Sequence, residues 1–210
     1  RDKSAPYVGG RAIDGAMNPR PACVNRIGCW CATSCMPNYR RAHVPGAAYF
    51  FTVTLADRGE RILVQHIDAL RSAFEQTRRE LPFRVDAMVV LPEHLHCIWS
   101  LPAGDADFSL RWQRIKARFT HLFRDGGAVP AASARRAAIW QKRFWEHLLR
   151  DDRDFERHVD YIHFNPVKHG HAALAVDWPY SSIHRYVRSG VLPPHWAEGG
   201  EIDGYVGERA

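Results

Sequence analysis

Val89-Val90-Leu91-Pro92-Glu93-His94-Leu95-His96-Cys97-Ile98-Trp99-Ser100 is a β-rich apolar run, broken by a Pro-Glu corner and resumed as histidine, leucine, histidine. Side chains alternate faces along a strand, so His94 and His96 point one way while Leu95 and Cys97 point the other. Two imidazoles one residue apart on one strand face can grip a single divalent ion. The chain has 12 histidines in 210 residues, and random placement alone supplies roughly 0.7 of such a pair, so the spacing by itself decides little. A second pair, His169-Gly170-His171, follows Pro166 and has glycine at its centre, which reads as loop. Only the first pair lies inside an apolar β pattern.

Upstream of it, Phe83 to Val90 reads as one strand and Ala47 to Leu55, with Tyr49-Phe50-Phe51-Thr52-Val53, as another. Between them Leu63, Ile67, Leu70 and Phe74 recur at helical spacing, predicting an amphipathic helix that runs to about Glu80, before Pro82. Downstream, a loop with Pro102 and Gly104 leads into a helix from about Ser109 to Phe123, with Trp112, Ile115, Phe119 and Leu122 as its core face. Ile139 to Leu149 reads as a further strand. Asp151 or Asp152 then caps a helix expected to stop at Asn165, ahead of Pro166. A short helix near Ile183–Arg188 follows. The order β-α-β-β-α-β plus another helix is the ferredoxin-like split βαβ motif. The expected fold is α+β, an antiparallel sheet with helices on one face and an additional C-terminal helix.

Length and a hydrophobic content of 46% fit one globular domain. No run approaches the roughly 18 apolar residues of a membrane helix. Residues 1–35 are rich in Gly, Pro, Ala and Cys and have no sustained period, so they are expected to be a disordered extension, with Met36 the effective start of the fold. The folded domain is expected over 36–196, with a flexible Gly/Ala/Ser/Arg loop at 124–138 and a tail at 197–210. Cys23, Cys29, Cys31 and Cys35 match none of the usual zinc-module spacings. Cys97, alone in the body of the chain, fits a reducing compartment.

Twenty-nine Lys+Arg against 23 Asp+Glu give a formal net charge of +6, which leans toward a polyanionic partner. Beside the core face of the second long helix, Arg111, Arg114, Arg118 and His121 form a basic stripe with no acid among them. Such a stripe is either a solvated face or a phosphate contact.

On the last long helix Phe155, Val159 and Ile162 recur at i, i+4, i+7 and face the sheet. Tyr161 lies roughly 130° from that face, with Asn165 one turn beyond it on the same side. The expectation is a tyrosine off the core face, opposite strand histidines in an open site. His158 shares that side, where it orients a phosphate or faces water.

Pro92-Glu93-His94-Leu95-His96-Cys97-Ile98-Trp99, Phe144-Trp145-Glu146-His147 and Asp160-Tyr161-Ile162-His163-Phe164-Asn165-Pro166-Val167-Lys168-His169-Gly170 together resemble the REP-associated tyrosine transposases, relatives of the single-tyrosine HUH transposases. The resemblance covers about Met36 to Trp196. It implies a catalytic domain in which His94, His96 and Asn165 hold Mg²⁺ or Mn²⁺ and Tyr161 is the nucleophile. Many transposon relatives carry Gln where this chain has the shorter Asn165. The implied substrate is single-stranded DNA with palindromic repeats folded as hairpins, cut and rejoined through a 5′-phosphotyrosine. Arg40, Arg41, Arg111, Arg114 and Arg118 are the expected backbone contacts, and Trp178 and Tyr180 the expected stacking platforms. Such a protein works in the bacterial cytoplasm, at the nucleoid, as a monomer or a dimer. Two other readings stand beside it: a hairpin-binding protein that does not cut, and a hydrolytic metal phosphoesterase that forms no covalent adduct.

Overall fold

The computed structural model of the protein describes residues 42–125 and 138–198. The expectations for residues 1–35, Arg40, Arg41 and most of the 124–138 loop therefore lie outside the described residues. So does the greater part of the 197–210 tail.

Four strands build one sheet: β1 (Ala48–Thr54), β2 (Arg84–Val90), β3 (His94–Ser100) and β4 (Trp145–Leu148). Their order is β2-β3-β1-β4 and every neighbouring pair is antiparallel, which is the ferredoxin-like arrangement. The helices are α1 (Ile62–Gln65), α2 (Ile67–Glu80), α3 (Phe108–Asp125), α4 (Asp152–Lys168) and α5 (Ile183–Arg188).

Strand alternation gives the sheet two distinct faces. Leu95, Cys97 and Trp99 of β3 join Tyr49, Phe51 and Val53 of β1 in a core capped by α2 and α3. Stacked Trp99 and Trp112, 4.3 Å between ring centroids, lock α3 onto that face. On the opposite face Phe50, Val89 and Ile98 meet Val159, Tyr161 and Ile162 of α4. The expected helix pair thus covers one face, and the additional helix, carrying Tyr161, covers the other.

Three boundaries differ from expectation. The first helix is interrupted at His66, whose φ of −116° and ψ of 40° are not helical. The last strand is shorter than Ile139–Leu149. Trp140 makes an isolated bridge to Leu55, closed by the Gln141 amide on the Thr54 carbonyl at 3.0 Å, and exposed Lys142 and Arg143 then leave the ladder before β4 begins. On α3, Leu122 is half-buried and Phe123 takes the core position instead.

The end of α4 is the most instructive difference. The helix starts where expected, with the Asp151 carboxylate accepting from the Asp154 amide at 2.8 Å. It does not stop before Pro166 but continues through it to Lys168. Proline there removes one amide donor near the end of the helix. The amides of His169 and Gly170 still close onto the carbonyls of Asn165 and Val167. Asn165 is therefore held in helical geometry one full turn after Tyr161.

Candidate active site

β3 and α4 meet on the second sheet face and bring together the residues singled out in the sequence. The rings of His94 and His96 lie 4.8 Å apart between centroids. The Tyr161 ring is 5.2 Å from His96, and Phe50 stacks on His96 at 5.5 Å. Asn165 is fully buried, and neither its Oδ1 nor its Nδ2 has a hydrogen-bond partner among the described residues. A buried amide left unsatisfied costs about 1–3 kcal/mol, so its Oδ1 suits an ion or a polar group supplied from outside.

Each histidine is oriented from behind. Glu93 Oε1 lies 2.9 Å from Nδ1 of His94, and Thr52 Oγ1 lies 2.9 Å from Nδ1 of His96. When each ring donates from Nδ1, the Nε2 lone pair is left for a metal. Burial is the main cause that pushes the His96 imidazole well below its ordinary value, helped by the charges of His94, His169 and Lys168. His96 is therefore neutral, as a ligand must be. The Glu93 carboxyl is held low by its hydrogen bond with His94. Two imidazoles backed by a carboxylate and a hydroxyl, with a buried amide one turn after Tyr161 on the facing helix, fit a divalent cation.

The site is not open in the manner expected. His94 and His96 are buried, and Tyr161 is only 7% exposed. The wheel count assumed one narrow stripe, whereas the buried residues of α4 span an arc of about 200°, from Tyr161 round to His163. The far side of that arc is covered by α5, where His163 meets Ser182 and Tyr186. Tyr161 sits at the other margin, beside exposed Lys168 and His169. His158 is likewise buried, with Nδ1 2.7 Å from the Asp154 carbonyl, so it neither faces water nor waits for phosphate.

Lys168 was missed in the sequence. Its Nζ lies 3.5 Å from the Tyr161 hydroxyl and 4.8 Å from the ring centroid. Its signal was available, since seven residues are close to two helical turns. His169, set aside as loop, brings its ring to 5.4 Å from His94.

The basic stripe is corrected. Arg111 is 1% exposed, with its guanidinium bound by Asp105 and by the carbonyls of Asp107 and Pro82. Arg114 and Arg118 both pair with Glu80 of α2. All three belong to the layer on the opposite side of the sheet from Tyr161. Glu80, an acid from another element, supplies the countercharge to Arg114 and Arg118, while His121 pairs with Asp125 of α3 itself. Trp178 is half-buried and donates from Nε1 to the Val90 carbonyl at 2.9 Å, while Tyr180 packs partly against the first core. Both are half-buried and have packing roles within the fold.

A ferredoxin-like sheet presenting paired histidines to a helix-borne tyrosine is the layout of the single-tyrosine HUH class. No family model matches the chain. It is 47% identical over 174 residues to the REP-associated tyrosine transposase of Escherichia coli K12, covering 83% of this chain and 98% of that one. It is 42% identical over 171 residues to a protein of Haemophilus influenzae provisionally given the same name, covering 80% and 96%. A solved structure of the REP-associated tyrosine transposase bound to a REP hairpin matches with a TM-score of 0.73 at 45% identity, covering 83% of this chain and 99% of the other. The chain belongs to the REP-associated tyrosine transposase family. Membership makes it a tyrosine transposase and implies a divalent metal cofactor.

Proposed function

We propose that the protein nicks and rejoins single-stranded DNA at palindromic hairpin repeats through a 5′-phosphotyrosine. The observation that supports this reading is the meeting of the His94 and His96 rings with Tyr161, with Asn165 buried one helical turn after the tyrosine. His94, His96 and Asn165 would hold Mg²⁺ or Mn²⁺, which draws charge from a non-bridging phosphate oxygen when bound. Tyr161 Oη attacks phosphorus, the bond to the 3′-oxygen breaks, and the phenolic proton is released as the 3′-oxygen takes one up. Lys168 faces the same hydroxyl and favours the charge that develops on it. The new bond is still a phosphodiester, so the freed 3′-hydroxyl reverses the step or a different 3′ end takes its place, without ATP. Arg40, Arg41 and the exposed margin around Lys168 are the proposed backbone contacts. A protein acting on chromosomal single strands works in the cytoplasm, beside the nucleoid.

A non-cleaving hairpin binder is the second reading, and the burial of Tyr161 favours it. One experiment separates the two. Incubation with hairpin single-stranded DNA and Mn²⁺ should yield a denaturant-stable protein–DNA band. Tyr161→Phe should abolish the band and leave hairpin affinity within about threefold, since one hydroxyl adds little to a grip spread over many phosphates. No band from the unaltered protein, or one mapping to Tyr180 or Tyr186, overturns the assignment.

A further inference from the structure

We propose that His147, Asp154 and His158 form a second cation site, separate from the paired-histidine centre, which takes Zn²⁺ and fastens the start of α4 to β4. His147 comes from β4, whereas Asp154 and His158 stand one turn apart on the same side of α4. One ligand atom from each lies within 4.8 Å of the others. His147 Nε2 is 2.9 Å from Asp154 Oδ2, and His158 Nδ1 is 3.2 Å from Asp154 Oδ1. Tetrahedral zinc with bonds of about 2.0–2.1 Å sets its donors about 3.3 Å apart, so the two contacts to Asp154 already fit, whereas the His147 and His158 nitrogens must close and one ring must tilt out of the stack on loading.

The two imidazoles are stacked, 4.8 Å between centroids and 15° between planes, and both meet one carboxylate. Two neutral nitrogens and one anionic oxygen are a donor set that zinc accepts, with a fourth position left for water. The protonation states agree with this. Burial keeps His158 below its ordinary value. Burial opposes ionisation of Asp154, but the hydrogen bonds from His147 and the Arg150 amide outweigh it, and the carboxyl is held low. Side-chain exposures of 24% for His147 and 21% for Asp154 leave an entrance from solvent. Loading exchanges two hydrogen bonds for coordinate bonds, that of His147 Nε2 with Asp154 Oδ2 at 2.9 Å and that of His158 Nδ1 with the Asp154 carbonyl at 2.7 Å; each ring stays neutral by carrying its proton on its other nitrogen.

The site is distinct from the first. Phe50 lies between them, its ring 4.8 Å from His158 and 5.5 Å from His96. The same helix carries His158 and, three residues on, Tyr161, so a metal at its start fixes the helix that positions the tyrosine.

The test is zinc stoichiometry by native mass spectrometry on the full chain, unaltered against Asp154→Asn and against His147→Asn with His158→Asn. Comparing variants with the parent cancels any zinc held at His94 and His96 or by the N-terminal cysteines. Each folded variant should bind one zinc fewer and lose part of the zinc-induced rise in melting temperature. Equal stoichiometry in parent and folded variants overturns the proposal. Should the variants not fold, crystals of the unaltered protein grown with Zn²⁺ decide it at the zinc absorption edge. An anomalous peak between the three side chains supports the site, and zinc bound elsewhere with no peak there refutes it.

Discussion

Lys168 brings a cation to 3.5 Å from the hydroxyl that the proposed reaction needs as a nucleophile, whose ordinary pKa is about 10. Lys168→Met should slow adduct formation by about ten- to a hundredfold while the hairpin still binds, and Lys168→Arg should recover part of the loss. Single-turnover cleavage measured with both variants checks this; an unchanged rate in Lys168→Met would remove the lysine from the chemistry. That His94 and His96 share one strand face, and that Asn165 follows Tyr161 by one helical turn, was legible in the sequence because strand alternation and the helical turn are local arithmetic. Thr52 was not. It lies directly opposite His96 in the β1–β3 register, and no pattern within either strand announces which residues will pair. The burial of Tyr161 was hidden for a related reason, because the wheel counts one helix and not what covers it.

The N-terminus of α4 is the place where an element-level change can be read without touching the site. The Asp151 side chain holds one of the otherwise unpaired amides of the first turn. Asp151→Ala should cost about 1 kcal/mol, measured as a lower urea midpoint at unchanged slope. No change in midpoint would mean that tertiary packing alone fixes the start of this helix. Elements were easier to read than their ends. The apolar periods of α2, α3 and β3 located them, while the break at His66 and the passage of α4 through Pro166 depend on neighbours that local propensity does not see. The charge balance of α3 failed in the same way, since Glu80 reaches it from α2.

Three of the four histidines buried among the described residues make the molecule sensitive to acid. Burial is the largest cause for each, lowering His96 and His158 and taking His163 from 6.5 to about 3. Between those values the unfolded chain binds protons that the folded chain refuses. Each therefore favours the folded state above the ordinary histidine value near 6.5 and loses that contribution as pH falls, His163 by up to about 1.4 kcal/mol per pH unit down to about pH 3. Urea melts in EDTA from pH 7.5 down to 4.5 should show a falling midpoint, and a flat profile would contradict the assignment. At the same scale, deleting residues 1–35 should leave folding, hairpin binding and cleavage intact. That segment has no apolar period with which to offset an ordering entropy of about 1–2 kcal/mol per residue. Loss of binding together with a bound zinc on truncation would show instead that Cys23, Cys29, Cys31 and Cys35 fold it.

β3 turns Leu95, Cys97 and Trp99 to one core and His94 and His96 to the opposite face, so the proposed function puts cohesion on one side and chemistry on the other. This sets which kinds of inherited change the protein can survive. A base substitution at His94 or Tyr161 can silence the reaction and leave a sheet still able to hold a hairpin, so a lineage can drift from cutter to passive binder in single steps. Loss or gain of one codon within β3 has no such half-way product. It moves the side chains on one side of the change to the opposite sheet face, where a different core awaits them, and the descendant forfeits its fold along with its trade.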